Sequence, residues 1–296
     1  MLEYVDLKQS VPKDEYKQRL EPLQERLYAL QGQIFEQRIP VAIVFEGWAA
    51  AGKGTSLNTL AARLDPRGFR VVPIVPPRTI ELAYPWMWRY WLRIPAAGQM
   101  VGYDTSWYRR VLIERLTGAV KRREWEAAYD DIRDFESQLA ADGTVILKFW
   151  LHISKKEQKR RFKKLQASKL TAWQVTPEDE AQHDDYKQYR QAVEDMLART
   201  EAPHAPWTIV AATDRYYTRL KIIETIVQSL ALRLGASAEI PPAAASQKPG
   251  PGGKADDTQA VYAAAADVAA ATAPAPASTP PTPAEPPAPP EAAADA

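Results

Sequence analysis

The sequence predicts a three-layer α/β fold, in which helices cover both faces of a parallel β-sheet. Four or five short runs rich in β-branched and aromatic residues alternate with longer stretches whose apolar residues recur every three or four positions. The short runs are typical of buried strands, and the longer stretches are typical of amphipathic helices. Because the two kinds of element alternate along the chain, the strands are expected to lie parallel in one sheet.

The composition predicts a globular core and is compatible with an anionic ligand. Of the 296 residues, 46% are apolar and 25% are charged. The formal net charge is +1, but residues 241–296 contain two basic and six acidic residues, so residues 1–240 hold 36 basic and 31 acidic ones. This excess of five positive charges suits a negatively charged substrate without identifying one.

Several classes of site are excluded by the residues that are rare or absent. Cysteine is absent, which excludes disulfides, thiolate metal sites and cysteine nucleophiles. With only three histidines, a histidine-based metal site is not expected, and His152 is expected to be a packed polar residue. The first eight residues lack the apolar core of a signal peptide, and no apolar run reaches the roughly 20 residues that span a bilayer. We therefore expect a cytoplasmic protein with no membrane partner.

Residues 1–40 are predicted to form an N-terminal helical extension. Between Tyr16 and Gln37, leucine and isoleucine recur at spacings of three and four positions, which is the period of one helix face. The members of this face are Leu20, Leu23, Leu27, Leu30 and Ile34. We expect the helix to pack against the core and to end at Arg38-Ile39-Pro40, directly before the first strand.

The next stretch, residues 41–55, reads VAIVFEGWAAAGKGT and predicts a phosphate-binding loop. A short apolar strand stops at Glu46-Gly47, four residues lead to the sequence GKGT, and a helical pattern follows. This order of strand, glycine-bounded loop, lysine and helix is the P-loop arrangement. The candidate phosphate-binding residues are Gly47, Gly52, Lys53, Gly54 and Thr55.

Each residue type in this loop has a physical reason to be there. Glycines let the backbone turn tightly and direct its N–H groups inward as an anion nest, and the helix N-terminus adds about half a positive charge. Lys53 supplies a full charge, and Thr55 offers a hydroxyl to phosphate or to a bound Mg²⁺. The commoner pattern has Ser or Thr directly after the lysine, whereas GKGT is typical of several nucleoside monophosphate kinases. A glycine-rich turn with a solvated lysine is the alternative, and the agreement between motif and context disfavours it.

A second strand, Arg70–Val75, is followed by a segment rich in aromatic residues. The segment contains Tyr84, Trp86, Trp88, Tyr90 and Trp91, together with Arg89 and Arg93. It is interpreted either as a buried aromatic helix with solvated arginines or as a wall near the active site. For the tryptophans burial is favoured, and for Arg89 both a solvated position and a position facing phosphate stay open.

Gln99–Tyr103 is a short apolar run that predicts a third strand and ends at Asp104. A carboxylate at the carboxyl end of such a strand is where P-loop folds hold magnesium, so Asp104 is the candidate metal ligand. The alternative is that Asp104 or Ser106 caps a helix that continues through Leu116. The two roles are compatible, and the P-loop upstream favours the metal role.

The middle of the chain predicts a helix over Glu124–Ala141, a buried strand over Thr144–Ile153 and then a strongly basic segment. Ser154–Lys169 contains eight basic residues and one acidic residue, Glu157. This charge exceeds what solubility requires, so we expect a helical lid over about residues 154–182 that clamps phosphates. Nucleic acid is the less favoured ligand, because aromatic residues do not interleave with the basic ones.

Three further elements complete the predicted domain. Thr176-Pro177-Glu178-Asp179 has the form of a capped helix start, and a helical pattern continues to Thr200. Trp207–Ala212 predicts the last strand, with Thr213-Asp214-Arg215 at its carboxyl end, where ligands bind in open α/β sheets. A final helix is expected from about Tyr216 to Leu234.

The predicted domain therefore covers residues 41–235, and residues 236–296 are expected to form a disordered tail. This tail holds 13 of the 25 prolines, interspersed with Ala, Ser and Thr. Such a composition cannot bury enough apolar surface to fold. We assign it no catalytic role.

Eight motifs make the chain similar to a known family. They are VFEGWAAAGKG (44–54), LDPRGFRV (64–71), WRYW (88–91), DTSWYRRVLIER (104–115), DFESQL (134–139), KFWLHISKKEQKRRF (148–162), TPED (176–179) and APWTIVAATD (205–214). Together they resemble the polyphosphate kinase 2 family, whose members move phosphoryl groups between inorganic polyphosphate and nucleotides. The resemblance runs from about residue 4 to residue 234.

The resemblance implies a P-loop kinase-like fold and a Mg²⁺-dependent phosphotransferase that acts on AMP and ADP or on GMP and GDP. It implies that Lys53 and the P-loop cradle the phosphates and that Asp104 holds Mg²⁺. It also implies that Arg160 and Arg161 of the lid bind the anionic chain and that Arg89 lies near the phosphates. Positioning and charge stabilisation suffice for this transfer, without a covalent intermediate. A homo-oligomer without a nucleic acid partner is implied as well.

Two positions depart from the family pattern. The family P-loop commonly reads GxDAAGKG with an Asp that helps to hold magnesium, and this chain has Ala49 there. The second motif commonly reads DRSWY, and this chain has Thr105 in place of the Arg. Losing one charged group that acts in the transition state costs about 3–4 kcal/mol. Glu46 and Glu81 are candidates to compensate.

These departures keep two alternatives to an active polyphosphate:nucleotide phosphotransferase open. One is a catalytically impaired homologue that binds polyphosphate or nucleotide, which Ala49 and Thr105 favour. The other is a nucleoside monophosphate kinase with ATP as donor, which the sequence GKGT favours. The retained Lys53 and Asp104 favour the active phosphotransferase.

Overall fold

The computed structural model describes residues 1–236, and within them five β-strands form one sheet. The strands are β1 (Val41–Gly47), β2 (Phe69–Pro73), β3 (Met100–Asp104), β4 (Val145–His152) and β5 (Trp207–Ala211). Every pairing is parallel, and the spatial order is β2-β3-β1-β4-β5. The predicted parallel sheet is confirmed.

The described part of the chain also contains nine α-helices and four short 3₁₀ helices. The α-helices are α1 (Lys13–Glu36), α2 (Lys53–Ala61), α3 (Trp88–Trp91), α4 (Ile113–Leu116), α5 (Arg122–Ala141), α6 (Lys155–Gln166), α7 (Pro177–Asp184), α8 (Tyr186–Arg199) and α9 (Arg215–Arg233). The 3₁₀ helices are Leu2–Tyr4, Glu81–Ala83, Trp107–Arg110 and Ala172–Gln174.

The position of β1 in the middle of the sheet sets up the rest of the fold. All seven of its residues are buried, as the unbroken apolar run predicts for a strand covered on both faces. Right-handed crossovers place α2 on one face of the sheet and α5 on the other. The chain leaves β1 toward β2 and leaves β3 toward β4, so a crevice opens outside the carboxyl ends of β1 and β3.

The N-terminal helix α1 packs against the last helix, α9, as part of the common core. Its predicted apolar face is buried, except for the partly exposed Leu20. The rings of Tyr16 and Tyr216 lie 4.7 Å apart, and Arg19 pairs with Glu224 across the same contact. The expectation that this helix packs against the core is confirmed.

The predicted helix from Ser106 to Leu116 is wrong, because the segment divides into a 3₁₀ helix and the one-turn helix α4. The Ser106 side chain accepts the Tyr108 N–H, so Ser106 is the cap and Asp104 is not. Trp107 and Tyr108 are fully buried, and both donate hydrogen bonds to Glu136. Both side chains are thereby bound to α5, and the backbone takes the 3₁₀ conformation at the residues that make these hydrogen bonds.

The prediction that the tryptophans of the aromatic segment are buried is also wrong. Trp91 is exposed, whereas Trp86 and Trp88 are half-buried. Helix α3 is only one turn long, which is too short to bury a continuous apolar face against the core. Trp88 instead stacks on Tyr84 at a centroid distance of 4.1 Å, and Trp86 donates its indole N–H to the Asp131 carboxylate.

The segment predicted as a lid has the expected helix starts. Ser154 caps α6 by accepting the Glu157 N–H. Thr176 and Asp179 form a reciprocal capping box at the start of α7, with Pro177 as the first helical residue. The local cap signals were therefore sufficient to locate both helices.

The remaining sequence predictions concern the C-terminal tail and membrane-spanning segments. The predicted disordered tail, residues 236–296, lies outside the described residues apart from Ala236. Among residues 1–236, no helix combines the length and apolar character that crossing a bilayer requires.

A buried ionic network fixes the segment that follows β3. The Lys148 ammonium donates to the Glu136 carboxylate at 2.8 Å, to the Tyr108 hydroxyl at 3.0 Å and to the Thr200 carbonyl at 2.8 Å. Glu136 also accepts the Trp107 indole N–H at 2.9 Å. Both charged side chains are fully buried, so each depends on the other for compensation.

We expect Glu136→Ala to lower the free energy of unfolding by about 3–5 kcal/mol, because it leaves the Lys148 ammonium buried without a counter-charge. Urea denaturation followed by circular dichroism measures the change. The matched control is Arg122→Ala, which removes an exposed ion pair with Glu126 at 2.8 Å and should cost less than about 1 kcal/mol. Equal losses in the two variants would contradict the proposed role of the buried pair.

Candidate active site

A cavity of about 840 Å³ opens at the carboxyl ends of β1, β3 and β5. Its walls are the loop between β1 and α2, the end of β3, helix α6 with the segment that follows it to the start of α7, and the residues that lead from β5 into α9. The charged residues among its lining are Lys53, Asp104, Arg160, Arg161, Lys164, Asp179, Asp214, Arg215 and Arg219. Six cationic side chains against three carboxylates give the cavity an excess of positive charge, which favours anionic ligands.

The loop between β1 and α2 turns back tightly because of three backbone conformations. Gly47 lies so close to β4 that a Cβ atom there would meet the Leu151 carbonyl oxygen at 2.7 Å. Gly52 has φ +106° directly before α2, which favours glycine, and Ala50 has φ +58°, which an L-residue adopts at a cost. The turn places the N-terminus of α2 at the cavity, where its first N–H groups lack helical acceptors.

Lys53 and Asp104 both line this cavity, as the sequence predicted. The Lys53 ammonium donates to the carbonyls of Gly47 at 3.3 Å and Trp48 at 3.4 Å. A methyl group at Gly54 would lie 3.9 Å from Oδ2 of Asp104, which shows how close the start of α2 comes to this carboxylate. The lysine and the carboxylate therefore face one space.

The loop that follows Asp104 is fixed between neighbouring strands. Thr105 donates its N–H to the Phe45 carbonyl at 3.1 Å and its hydroxyl to the Ile74 carbonyl at 2.9 Å. Its φ of +57° is unfavourable for a β-branched residue, and these two hydrogen bonds hold it there. Asp104 is thereby positioned from both sides.

Glu46 is a buried carboxyl group beneath the P-loop. Its Oε1 accepts the Ser106 hydroxyl at 2.8 Å. Burial raises its pKa from 4.5 to about 7, and the negative charge of Asp104 adds to this, although the Ser106 hydrogen bonds and Lys53 oppose the rise. Of the two carboxylates considered as compensation for Ala49, Glu46 is the one whose charge interacts with both Lys53 and Asp104.

Glu81, the other candidate for compensation, is committed to arginines elsewhere. It pairs with Arg93 at 2.7 Å, Arg78 at 3.2 Å and Arg89 at 3.5 Å. Burial alone would raise its pKa, but hydrogen bonds from Arg78 and Arg93 and the charge of Arg89 lower it to about 2. Glu81 is not among the described residues that line the cavity.

Arg89 is placed apart from the other predicted site residues. It is buried, it donates to the Val75 carbonyl at 2.7 Å, and it is not among the residues that line the cavity. Its Nη1 has no hydrogen-bond partner among residues 1–236. Of the two positions left open for Arg89, the solvated one is therefore wrong, and a position near phosphate stays a prediction.

Trp48, at the start of the P-loop, is held in place by His152 and Tyr186. The Trp48 indole N–H donates to Nδ1 of His152 at 2.9 Å, and the Trp48 ring stacks on Tyr186 at a centroid distance of 4.0 Å. Burial lowers the pKa of His152 to about 4, so the ring stays neutral and accepts this hydrogen bond at physiological pH. His152 is thus a packed polar residue, as predicted.

The sequence did not single out Lys164 and Arg219 as site residues, although both line the cavity. Lys164 lies in the basic run of α6, where the pattern gave no means to rank one lysine above another. Arg219 follows Arg215 by four positions on α9, so helical spacing from the strand end at Asp214 would have indicated it.

Comparison with known proteins decides the family. Residues 10–236 match the family model described as Polyphosphate kinase 2 (PPK2). The chain belongs to the polyphosphate kinase 2 family. The resemblance inferred from the eight motifs is therefore confirmed, and the P-loop kinase-like fold with it.

Relatives in the polyphosphate kinase 2 family cover most of this chain. A Pseudomonas aeruginosa protein named polyphosphate:AMP phosphotransferase is 43% identical over 227 residues, which are 76% of this chain and 46% of the relative. The chain thus spans about half the length of that relative. A Ruegeria pomeroyi protein named NDP-polyphosphate phosphotransferase 3 is 35% identical over 216 residues, which are 73% of this chain and 72% of the relative.

A solved polyphosphate kinase 2 has the same fold. The crystal structure of polyphosphate kinase 2 from Arthrobacter aurescens matches with a TM-score of 0.73 and 28% sequence identity, and it covers 90% of this chain and 93% of its own. The polyphosphate kinase 2 fold therefore extends over nearly all of the described residues.

We expect the stability of the ligand-free protein to reveal the raised pKa of Glu46. The folded protein keeps a proton on this carboxyl group up to about pH 7, whereas the unfolded chain loses it near pH 4.5. The free energy of unfolding should therefore fall as the pH rises between these values, by on the order of 3 kcal/mol from this group. Urea denaturation at about pH 5 and pH 8, without magnesium or substrate, measures the decrease.

The matched variant for this measurement is Glu46→Gln, whose amide has no proton to lose and can still accept from the Ser106 hydroxyl. Its free energy of unfolding should lack this part of the decrease. The same pH dependence in both proteins would show that Glu46 is not the group with the raised pKa.

Proposed function

We propose that this protein transfers a phosphoryl group between inorganic polyphosphate and a nucleotide, either AMP and ADP or GMP and GDP. The observation that carries the proposal is the convergence of Lys53, Asp104 and the P-loop backbone on one cationic cavity. Phosphoryl transfer needs positioned cations and N–H donors around phosphate oxygens, and these are the groups that the cavity offers. The names of the relatives, polyphosphate:AMP and NDP-polyphosphate phosphotransferase, support the same reaction class.

Most of the cations that line the cavity have a role in this proposal. Lys53 and the N–H groups at the start of α2 bind the phosphates that are exchanged. Arg160, Lys164, Arg215 and Arg219 bind further phosphates of the anionic chain, since they line the same space. Arg89, which does not line this space, is proposed to meet a further phosphate through its buried and unpartnered Nη1.

We propose Mg²⁺ as the cofactor, because the residues fit a phosphate-bound cation. Asp104 supplies a carboxylate, and Thr55 directs its proton to the Gly52 carbonyl at 2.9 Å, which leaves the oxygen lone pairs for a cation. The described residues contain no cluster of three carboxylate or imidazole groups that could cage a metal by themselves. Magnesium in phosphotransferases needs none, since one or two carboxylates and substrate phosphates hold it. When bound, the ion would neutralise charge on the phosphate oxygens.

The homo-oligomeric state and the cytoplasmic location belong to the same proposal. They rest on the resemblance to the polyphosphate kinase 2 family and on the absence of cysteine in the sequence. Size-exclusion chromatography with light scattering tests the first, and fractionation of cells tests the second.

The two alternatives differ from the proposal in their donor or in their turnover. The relatives are named for transfer from polyphosphate, which supports polyphosphate over ATP as the donor. The same names give no support to an impaired homologue. The deciding assay measures transfer to AMP, ADP, GMP and GDP, with polyphosphate or ATP as donor and with or without Mg²⁺. Transfer from ATP alone, or binding without transfer, would overturn the proposal.

We expect Lys53→Ala to lower the rate of transfer from polyphosphate by at least about 100-fold, because it removes a charge that contacts the transferred phosphates. A coupled assay of nucleotide formation measures the rate. The matched control is Lys163→Ala, which removes the charge of an exposed lysine on α6 that is not among the cavity-lining residues. An unchanged rate in Lys53→Ala would contradict the site assignment.

We expect the double variant Ala49→Asp with Thr105→Arg to transfer faster than the natural protein, by on the order of tenfold or more. It restores the two charged groups of the commoner family pattern next to Lys53 and Asp104. The ratio of turnover numbers in the same assay measures the gain. A double variant that folds and is no faster would show that Glu46 and the remaining cations already supply what these groups would add.

A further inference from the structure

The backbone carbonyl oxygens of the P-loop, at residues 47–51, need hydrogen-bond donors. The start of α2 offers N–H groups to an anion, but the loop before it also has carbonyl oxygens that no anion can satisfy. Residues 47–51 are nearly all buried, and buried carbonyls need donors. Lys53 serves the first two of these carbonyls, those of Gly47 and Trp48.

Helix α6 supplies the donors for the other three carbonyls. The Gln158 amide donates to the Ala49 carbonyl at 3.4 Å. Nη1 of Arg161 donates to the carbonyls of Ala50 at 2.9 Å and Ala51 at 3.0 Å. Ala50 is the residue with the unfavourable φ of +58°, so the guanidinium holds the loop where its backbone is most strained.

The remaining donors of Arg161 are also occupied. Nη2 donates to the Ala212 carbonyl at 2.7 Å and the Thr213 carbonyl at 2.9 Å, at the end of β5. Nε donates to the Glu157 carboxylate at 2.7 Å. A guanidinium has five N–H donors, and all five of these therefore have acceptors within the protein. Arg161 has no donor left for a phosphate.

Its neighbour Arg160 has a different environment. The Arg160 side chain is 69% exposed, and Nε and Nη2 share the Glu157 carboxylate. It lines the cavity together with Lys164, four positions further along the helix. One face of α6 therefore holds the loop, and the next face presents cations to the cavity.

Gln158 is held as firmly as Arg161. It is fully buried, its amide also donates to Oε1 of Gln182 at 2.8 Å, and its Oε1 lies 2.8 Å from Nδ1 of His183. Oε1 of Gln182 accepts the Ala49 N–H at 2.7 Å as well. Helices α6 and α7 therefore both form hydrogen bonds with Ala49 of the P-loop, through Gln158 and Gln182.

We propose that Arg161 and Gln158 are positioning residues that hold the backbone carbonyls of the P-loop, and that α6 is a fixed brace of this loop. Arg161 does not bind phosphate in this assignment, and that role passes to Arg160 and Lys164. The catalytic part of the inference rests on the proposed function, whereas the structural part stands without it. Lysine cannot replace Arg161, because one ammonium cannot span carbonyls on two separate loops as a planar guanidinium does.

The test compares Arg161→Lys, Arg161→Gln and the matched control Lys163→Gln, which removes one charge from an exposed position of the same helix. The structural readout is hydrogen–deuterium exchange of the backbone amides of residues 49–55, among which the Ala49 and Ala51 N–H groups have acceptors and therefore report opening of the loop. Both Arg161 variants should exchange there about tenfold faster or more, since the loop opens without its brace. The control should exchange like the natural protein.

The kinetic readout separates positioning from binding. In both Arg161 variants, kcat should fall by about 100-fold, because a misplaced P-loop no longer aligns the reacting groups. The KM for polyphosphate should stay within about threefold, because no phosphate contact is lost. Arg160→Gln should show the opposite pattern, with a raised KM for polyphosphate and natural exchange at residues 49–55.

Two results would overturn the inference. One is natural exchange at residues 49–55 in Arg161→Gln. The other is a raised KM for polyphosphate in Arg161→Gln that Arg161→Lys restores, which would make Arg161 a phosphate ligand. If the Arg161 variants do not fold, Gln158→Met replaces them, with faster exchange expected at residues 49–51 and natural exchange overturning the inference. Since exchange needs no substrate, failure of the brace is distinguishable from failure of the phosphotransferase proposal.

Discussion

The parallel pairing of β1 with β3 is the constraint on which the site depends. In this register Phe45 lies opposite Asp104, so the residues that follow the two strands lie side by side. The glycine turn after β1 then brings the start of α2 back to the same edge, and Lys53 meets Asp104 across the cavity. A shift of β3 by one residue would turn the Asp104 side chain to the other face of the sheet. The buried network of Lys148 and Glu136 secures the segment after β3 and so helps to keep this register.

The site distributes positive charge between two tasks. Some cations satisfy the protein's own carbonyl oxygens, and others are left for an anionic ligand. Arg161 belongs to the first group, because its donors all have acceptors on the P-loop, the end of β5 and Glu157. Arg160 belongs to the second, because it is exposed beside the cavity. A phosphate-binding loop that is strained at Ala50 needs both kinds, since an anion nest is useful only if its backbone does not relax.

The departures at Ala49 and Thr105 can be understood within this framework. The Ala49 N–H and carbonyl are both taken by α6 and α7, so the loop keeps its shape without the commoner carboxylate. The Thr105 hydroxyl bridges to the end of β2, and it keeps Asp104 in place without the commoner arginine. Both substitutions therefore preserve geometry while they remove charge. Glu46 is the carboxyl group best placed to offset the charge that is missing at Ala49, because both Lys53 and Asp104 influence its pKa.

The sequence by itself determined the five strands, the P-loop and the caps of α6 and α7. These features follow from neighbouring residues, because a buried strand, a glycine turn and a capping box are each encoded within about a dozen positions. Only the tertiary structure decided that the chain breaks its helix after Ser106, that Arg89 is buried beside Glu81, and which arginine of α6 keeps donors free for a ligand. Adjacent arginines look alike in a basic run. They differ only in whether carbonyls from distant parts of the chain, at Ala50 and Ala212, come within hydrogen-bonding distance.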